Sequence, residues 1–397
     1  MSTDRPRVVY WNSQPTPYMV ERWNAVADRG NVEMHAWFNV DREPDRSWEV
    51  DESAWRFQGR YLTTTKMGGR QVYLPPPLRE TGPLDLIVQE YASPSMALGF
   101  FVSRGLAKRV AFRALPTYDA WVSRSRPKEA LKHVLFRSAD GAKTGGNAGK
   151  AMIHRYGMPV DRIHTVTQSI DYAHFASALN VDCVVVEDSR RKLGVSGCVF
   201  LYVGRVWHKK GLTELFDAFE LLQRDKTHDV SLIVAGDGVD EAMYRERAAR
   251  LKNVVFTGFV QRSALPALYA VADAFVFPTL GDPHGLVVEE AMAAGLPVIC
   301  TEAAGDIERR LPGDAGFIVP VNDATTLADR MLALQANPEL RNYMARKANE
   351  IARLSDHEYY ARDFEAFVEA MLSNRPRNAP LAGASRIIGR SINVVRR

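Results

Sequence analysis

From Val199 to Leu334, short apolar runs alternate with stretches of good helix formers, and this alternation limits the fold more than any other feature. Val199–Val203, Val230–Ala235, Ala274–Phe277 and Val298–Cys300 read as strands, apolar almost throughout, and Asn253–Phe259 as a fifth. Leu212–Leu222 and Ser263–Ala270 read as helices between them. Strand and helix in steady succession predict an α/β layer structure with a parallel sheet. Ligands of such sheets bind beyond the carboxyl ends of the strands. The loops that follow the strands therefore hold the candidate chemistry.

The first half follows the same pattern less clearly. Arg7–Trp11, Val32–Phe38, Leu84–Val88, Arg109–Arg113 and Ile163–Thr167 read as strands, with helices over Met19–Arg29, Ser95–Gly105 and Pro127–Arg137. A chain of 397 residues, 46% of them hydrophobic, has the length for two such cores. We expect Rossmann-like domains over residues 1–175 and 199–355, a polar linker over 176–198, and a basic tail over 375–397. Asp356–Leu372 has a helical aromatic period. Asp41–Pro77 mixes Trp48, Trp55, Phe57, Tyr61 and Tyr73 with charges. Its rings either stack on sugar faces or pin an irregular excursion of the sheet.

Charge and cysteine usage narrow the setting. The net charge of +4 hides a tail of six Arg and no acid, so residues 1–374 sum to −2. Phe100–Thr165 holds 13 Lys or Arg against four Asp or Glu. Within it, Pro127–Arg137 reads as an amphipathic helix, apolar through Ala130, Leu131, Val134 and Leu135, with Lys128, Lys132, His133 and Arg137 outside. Such basic surfaces are either solvated faces or docking sites for acidic surfaces, an anionic membrane included. Cys183, Cys198 and Cys300 are odd in number and lack metal-ligand spacing, which fits a reducing compartment. Met1–Arg7 does not read as a signal peptide, and no apolar run reaches the ~18 residues of a membrane span. The expected location is the cytoplasm, either free or peripheral on the inner face of the membrane.

Pro278–Pro297 concentrates the chemistry. After the strand Ala274–Phe277 comes a polar loop with Gly281, Asp282, His284 and Gly285, then a helix through Glu289, Glu290, Ala291 and Met292. The helix start suits a phosphate, because its N–H groups are unpaired and its dipole end is positive. Asp282 and Glu290 stand eight positions apart. The plain reading makes Asp282 an Asx-turn residue and Glu290 a solvated one. Two further loops carry Gly204-Arg205 with Lys210-Gly211, and Gly236-Asp237-Gly238. Arg205 and Lys210 offer fixed positive charge to a diphosphate, unless they belong to a solvated loop.

Together these features resemble the retaining glycosyltransferases of family 4. The resemblance rests on acidic-x7-acidic at Asp282 and Glu290, on Gly204-Arg205…Lys210-Gly211, and on Ala304-Gly305-Asp306-Ile307-Glu308. It implies the GT-B fold, in which two Rossmann-like domains face each other and a terminal helix, here Asp356–Leu372, crosses back to the first. It implies transfer of a sugar from a nucleotide-diphosphate-sugar to a saccharide or lipid-linked acceptor with retention. Arg205, Lys210 and Asp282 would be the catalytic residues, Asp282 holding sugar hydroxyls and Glu290 the ribose. Gly204, Gly236, Asp237, Gly238, Phe259, Val260, Gly285, Leu286 and Val287 would complete the donor site. His284 either touches the donor or replaces a packing Phe. No Asp-x-Asp occurs, so neither metal nor cofactor is expected.

The first half departs from the family. The loop Asn12–Tyr18 lacks glycine, Ala114–Asp119 lacks the donor-contacting His, and Gln168-Ser169-Ile170-Asp171 replaces Asn-Gly-Val-Asp. A non-catalytic nucleotide-sugar binder is the alternative reading. A nucleic-acid binder would need a recognition motif beside the basic surfaces, and none is present.

Overall fold

A computed structural model describes residues 5–40, 50–67, 70–90, 94–115, 125–224 and 229–373. The loop residues Pro116–Asp119 and the basic tail 375–397 lie outside the described residues, as does Trp48.

Among the described residues fifteen strands form two parallel sheets and a hairpin. The first half supplies β1 (Arg7–Asn12), β2 (Glu33–Phe38), β3 (Gln58–Tyr61), β4 (Thr64–Met67), β5 (Arg70–Tyr73), β6 (Leu84–Gln89), β7 (Ala107–Arg113), β8 (Gly141–Thr144) and β9 (Ile163–Thr165). The second supplies β10 (Cys198–Val203), β11 (Val230–Ala235), β12 (Val254–Gly258), β13 (Ala274–Phe277), β14 (Val298–Thr301) and β15 (Gly316–Val319). The first sheet runs β3-β2-β1-β6-β7-β8-β9 and the second β12-β11-β10-β13-β14-β15, while β4 and β5 pair antiparallel. Both sheets double back beside their first strand, so each has a point where the loops on either side diverge and leave a crevice.

The strands of the second sheet are apolar because both of their faces are covered: every residue of β10, β11, β13 and β14 is buried. The helix Leu212–Arg224 contributes Leu212, Leu215, Phe216, Phe219 and Leu222 to that core, at the spacing of one helical face. The terminal helix His357–Leu372 starts on Asp356, whose side chain accepts from the Glu358 N–H. It then buries Tyr360, Phe364, Phe367, Val368 and Met371 against Tyr10 and Trp23 of the first core. The expected crossing-back helix is thus present.

Two expectations need correction. Residues 176–198 hold a helix, Cys183–Leu193, opened by the Asp182 side chain and closed at Gly194. Its Arg190 donates to the Val271 carbonyl and to Asp273, both at 2.9 Å, which fixes it to the second domain. Its polar composition reads as a linker because it buries little of itself. The helix Arg126–Ser138 is turned from the expected face. It buries Leu135 and Phe136, lays Lys132 and His133 on the Tyr156 ring, and leaves Leu131 and Val134 exposed. Of the two readings of Asp41–Pro77, the structure bears out the pinning one for these rings: Trp55 and Phe57 stack at 5.3 Å and pack with Tyr61 on Phe38.

Candidate active site

The site grows from three loops at the carboxyl ends of β10, β13 and β14. The first makes a tight turn at His208–Lys210 and leaves it through Gly211, whose φ is +73°. A side chain there would run into the Pro278 carbonyl, so glycine is required both by conformation and by space. The Leu280 N–H donates to the Lys209 carbonyl at 3.1 Å, which joins this loop to the one after β13. The third loop is joined in turn: Asp282 N–H donates to the Ala303 carbonyl (3.1 Å), and Gly305 N–H to the Asp282 carbonyl (2.9 Å).

That stitching brings Lys210 and Asp282 together. The lysine Nζ lies 2.6 Å from Asp282 Oδ2, and both side chains are mostly shielded, at 18% and 17% exposure. The other oxygen, Oδ1, accepts from the His284 N–H at 2.9 Å. Asp282 is therefore a turn residue and an ion-pair partner at once. Arg205 has its guanidinium over the Trp207 ring at 5.8 Å, and Lys209 approaches the same ring at 4.7 Å. Trp207 and Lys209 lie outside the expected set.

Glu290 is wholly buried, which overturns its reading as a solvated helix residue. Its Oε1 accepts from the Tyr18 hydroxyl at 2.6 Å and its Oε2 from Tyr269 at 3.0 Å. Burial pushes its pKa up to about 7, against the downward pull of those two hydroxyls. Glu289, one residue earlier, behaves oppositely. Burial raises it, but the Arg310 guanidinium and His284 outweigh burial and hold it at about 2. Arg310 donates Nε and Nη2 to Glu289 at 2.5 Å each, and its Nη1 to the Gly305 carbonyl at 2.9 Å. The same guanidinium reaches the carbonyls of His284 and Gly285, so one buried side chain holds the loop that carries Asp282.

A cavity of about 430 Å³ lies where the two domains meet. Of the expected residues, Gly204, Arg205, Gly236, Asp237, Phe259, Val260, Val287 and Glu290 line it. Lys210, Gly238, Asp282, His284, Gly285 and Leu286 do not. The physical reasons differ. A Cβ on Gly238 would strike the Val206 carbonyl, so this glycine serves loop packing. Gly285 has φ +75° against the Phe277 ring. His284 is buried beside Glu289 at 3.3 Å, and burial, then Arg310, lowers its pKa, so it packs as a neutral ring. The helix after the loop, Val287–Ala293, is two turns long. Among the described residues no group of three or more His, Cys, Asp or Glu could hold a metal ion.

The first domain also reaches the cavity, at the end of the loop Asn12–Tyr18. Pro17 and Tyr18 line it from the start of the helix Pro17–Arg29. Arg262 pairs with Glu21, which also meets His357 Nε2 at 3.1 Å. On the other flank, Ala148 N–H donates to Asp306 Oδ1 at 3.2 Å across the domains.

A comparison with known proteins matches residues 186–351 to the family model of the glycosyl transferases group 1. Over those residues the chain is similar to the glycosyl transferases group 1. D-inositol 3-phosphate glycosyltransferase of Corynebacterium efficiens is 31% identical over 212 residues, 51% of this chain and 49% of that protein. Phosphatidyl-myo-inositol mannosyltransferase of Mycobacterium leprae is 30% identical, covering 46% of this chain and 50% of that protein. The chain thus spans about half the length of these curated relatives. Among solved structures, Anabaena Alr3699/HepE in complex with UDP aligns with a TM-score of 0.72 at 17% identity, over 90% of this chain and 98% of that one. The glycosyltransferase WaaG aligns at 0.67 and 17% identity, over 91% of this chain and 99% of that one. The group 1 match thus covers the half that carries Arg205, Lys210, Asp282 and Glu290, and the GT-B fold extends over both domains.

Proposed function

We propose that this chain is a retaining glycosyltransferase that moves a sugar from a nucleoside-diphosphate-sugar to a saccharide or lipid-linked acceptor without a metal. The observation that carries the reading is the Lys210–Asp282 pair, held by loop contacts in the same domain as Arg205 and Glu290, which line the cavity. In the proposed reaction, Arg205 and Lys210 meet the charge that gathers on the diphosphate as its bond to the anomeric carbon breaks. Such preorganised cations stabilise the transition state more than the bound donor, which is what raises a rate. The departing phosphate oxygen takes the acceptor hydroxyl proton, and the acceptor oxygen bonds the anomeric carbon on the face just vacated. Asp282 orients hydroxyls of the donor sugar, and Glu290 accepts from the ribose.

The UDP bound by the Anabaena neighbour supports a nucleotide donor, and the name of the Mycobacterium leprae relative supports a lipid-linked acceptor. For the acceptor side we propose docking on an anionic membrane. Arg126, Lys128 and Arg137 stand exposed on the helix Arg126–Ser138 beside exposed Leu131 and Val134. The neighbouring helix Pro94–Leu106 adds exposed Leu98, Phe101 and Val102, and its Arg104 donates to the Ser138 carbonyl at 3.1 Å. Among the described residues no helix is long and apolar enough to cross a membrane.

The test is release of nucleoside diphosphate from a panel of UDP-, GDP- and ADP-sugars, with the anomeric configuration of the product read by NMR. Binding of a donor without any release, with or without acceptor, would favour the non-catalytic alternative.

A further inference from the structure

The two oxygens of Glu290 are not held alike. Tyr269 is wholly buried in the second core, among Phe175 and Phe275, and its hydroxyl is a fixed partner of Oε2. Tyr18 comes from the other domain, 272 positions away in sequence, and lines the cavity itself. It sits in the first turn of its helix under the Arg262 guanidinium, 5.4 Å from the ring centre, and Arg262 pairs with Glu21 one turn further on. Tyr18 is thus aimed at Oε1 from the cavity side and can leave without disturbing the second core. A carboxylate oxygen facing a cavity is where a ligand hydroxyl would be accepted. Here a phenol of the first domain already takes that place.

We propose that Tyr18 is a specificity-determining residue whose hydroxyl competes with a ribose hydroxyl of the nucleotide for Glu290 Oε1. This rests on the reading of Glu290 as the ribose-holding carboxylate. Its consequence is selective: a ligand displaces Tyr18 only if it brings a hydroxyl of its own. Inorganic pyrophosphate and 2′,3′-dideoxynucleoside diphosphates leave the phenol where it is. The helix Pro17–Arg29, through Tyr18, then reports to the first domain that a ribonucleotide is seated.

The experiment is calorimetric titration of wild type, Tyr18→Phe and Glu290→Gln with UDP, GDP and ADP, their 2′,3′-dideoxy counterparts, and inorganic pyrophosphate. Tyr18→Phe removes the competitor and keeps the ring. We expect it to bind the preferred ribonucleoside diphosphate about tenfold more tightly, or 1.4 kcal/mol, with dideoxy and pyrophosphate affinities unchanged. A role confined to packing would lower the melting temperature and move all ligands alike. Equal or weaker ribonucleotide binding by Tyr18→Phe at an unchanged melting temperature would overturn the inference. The Glu290→Gln arm separates it from the donor reading. If Glu290→Gln weakens ribonucleotide binding while Tyr18→Phe does not tighten it, only the role of Tyr18 falls. If Glu290→Gln leaves that binding unchanged, or wild type binds none of the three, the donor reading falls and this inference with it.

Discussion

Replacing Arg310 by Met is the most informative test of how the site is held. Arg310 is 9% exposed, and its guanidinium carries the Glu289 carboxylate together with the carbonyls of His284, Gly285 and Gly305. Methionine fills much of its volume but offers no donor. Glu289 sits at about 2 against an ordinary 4.5, a difference that amounts to about 3 kcal/mol at ~1.4 kcal/mol per pH unit. Removing one partner of a buried ion pair typically costs about 3–5 kcal/mol, because the other charge stays buried alone. We expect a loss of that order at pH 7, read from denaturant midpoints. The sign with pH should also invert. In wild type the folded pKa of Glu289 is depressed, so its stabilisation is present above about 4.5 and lost as pH falls toward 2. Without Arg310, burial dominates and raises that pKa above the unfolded value. The variant then loses stability as pH rises through it, so its deficit against wild type should shrink on going from pH 8 to pH 5. Adding Glu289→Gln to Arg310→Met should recover part of the loss by removing the stranded charge. A deficit under about 1 kcal/mol, or one that grows on acidification, would refute the assignment of Arg310 as the loop's anchor.

Three further outcomes follow from the geometry. Lys210→Ala and Arg205→Ala should each lower single-turnover rates at saturating donor by about 10²–10³, with Lys209→Ala mild; damage from Lys209→Ala instead would mean that the wrong lysine has been assigned. Asp282→Asn keeps the oxygen that caps His284 N–H but loses the charge that pairs with Lys210, so turnover should fall while the melting temperature changes little; an unchanged rate would leave Asp282 as a turn residue. Turnover should survive a strong chelator, and activity lost in chelator and restored by magnesium or manganese would show the charge neutralisation to be metallic.

How legible the molecule was from its sequence depended on whether an element states its burial locally. β11 and β13 did, since each is a run of residues covered on both faces, and their bounds agree with the apolar runs. β8 did not. It contains Lys143, wholly buried with its Nζ 3.0 Å from the Tyr360 hydroxyl and 5.3 Å from the Tyr10 ring centre, and nothing local marks a lysine as interior. Arg126–Ser138 misled for a related reason: Tyr156, eighteen positions beyond the helix, attracts Lys132 and His133 and rotates the apolar pair Leu131 and Val134 outward. In the site, Lys210 and Asp282 were legible because each sits near a glycine in a loop that follows an apolar strand.

Arg310 and Tyr18 carried no comparable mark, because their importance comes from partners far away in the chain. Glu289 and Glu290 make the point most sharply. They are the same residue type at consecutive positions of one short helix, both buried, and they project to different sides of it. One meets a guanidinium and is held charged at about 2, while the other meets the phenols of Tyr18 and Tyr269 and is pushed up by burial to about 7. Sequence could propose that a carboxylate matters here. Which of the two anchors the loop and which faces the cavity follows from a helix rotation of about 100° per residue, and from what the two domains bring to each side.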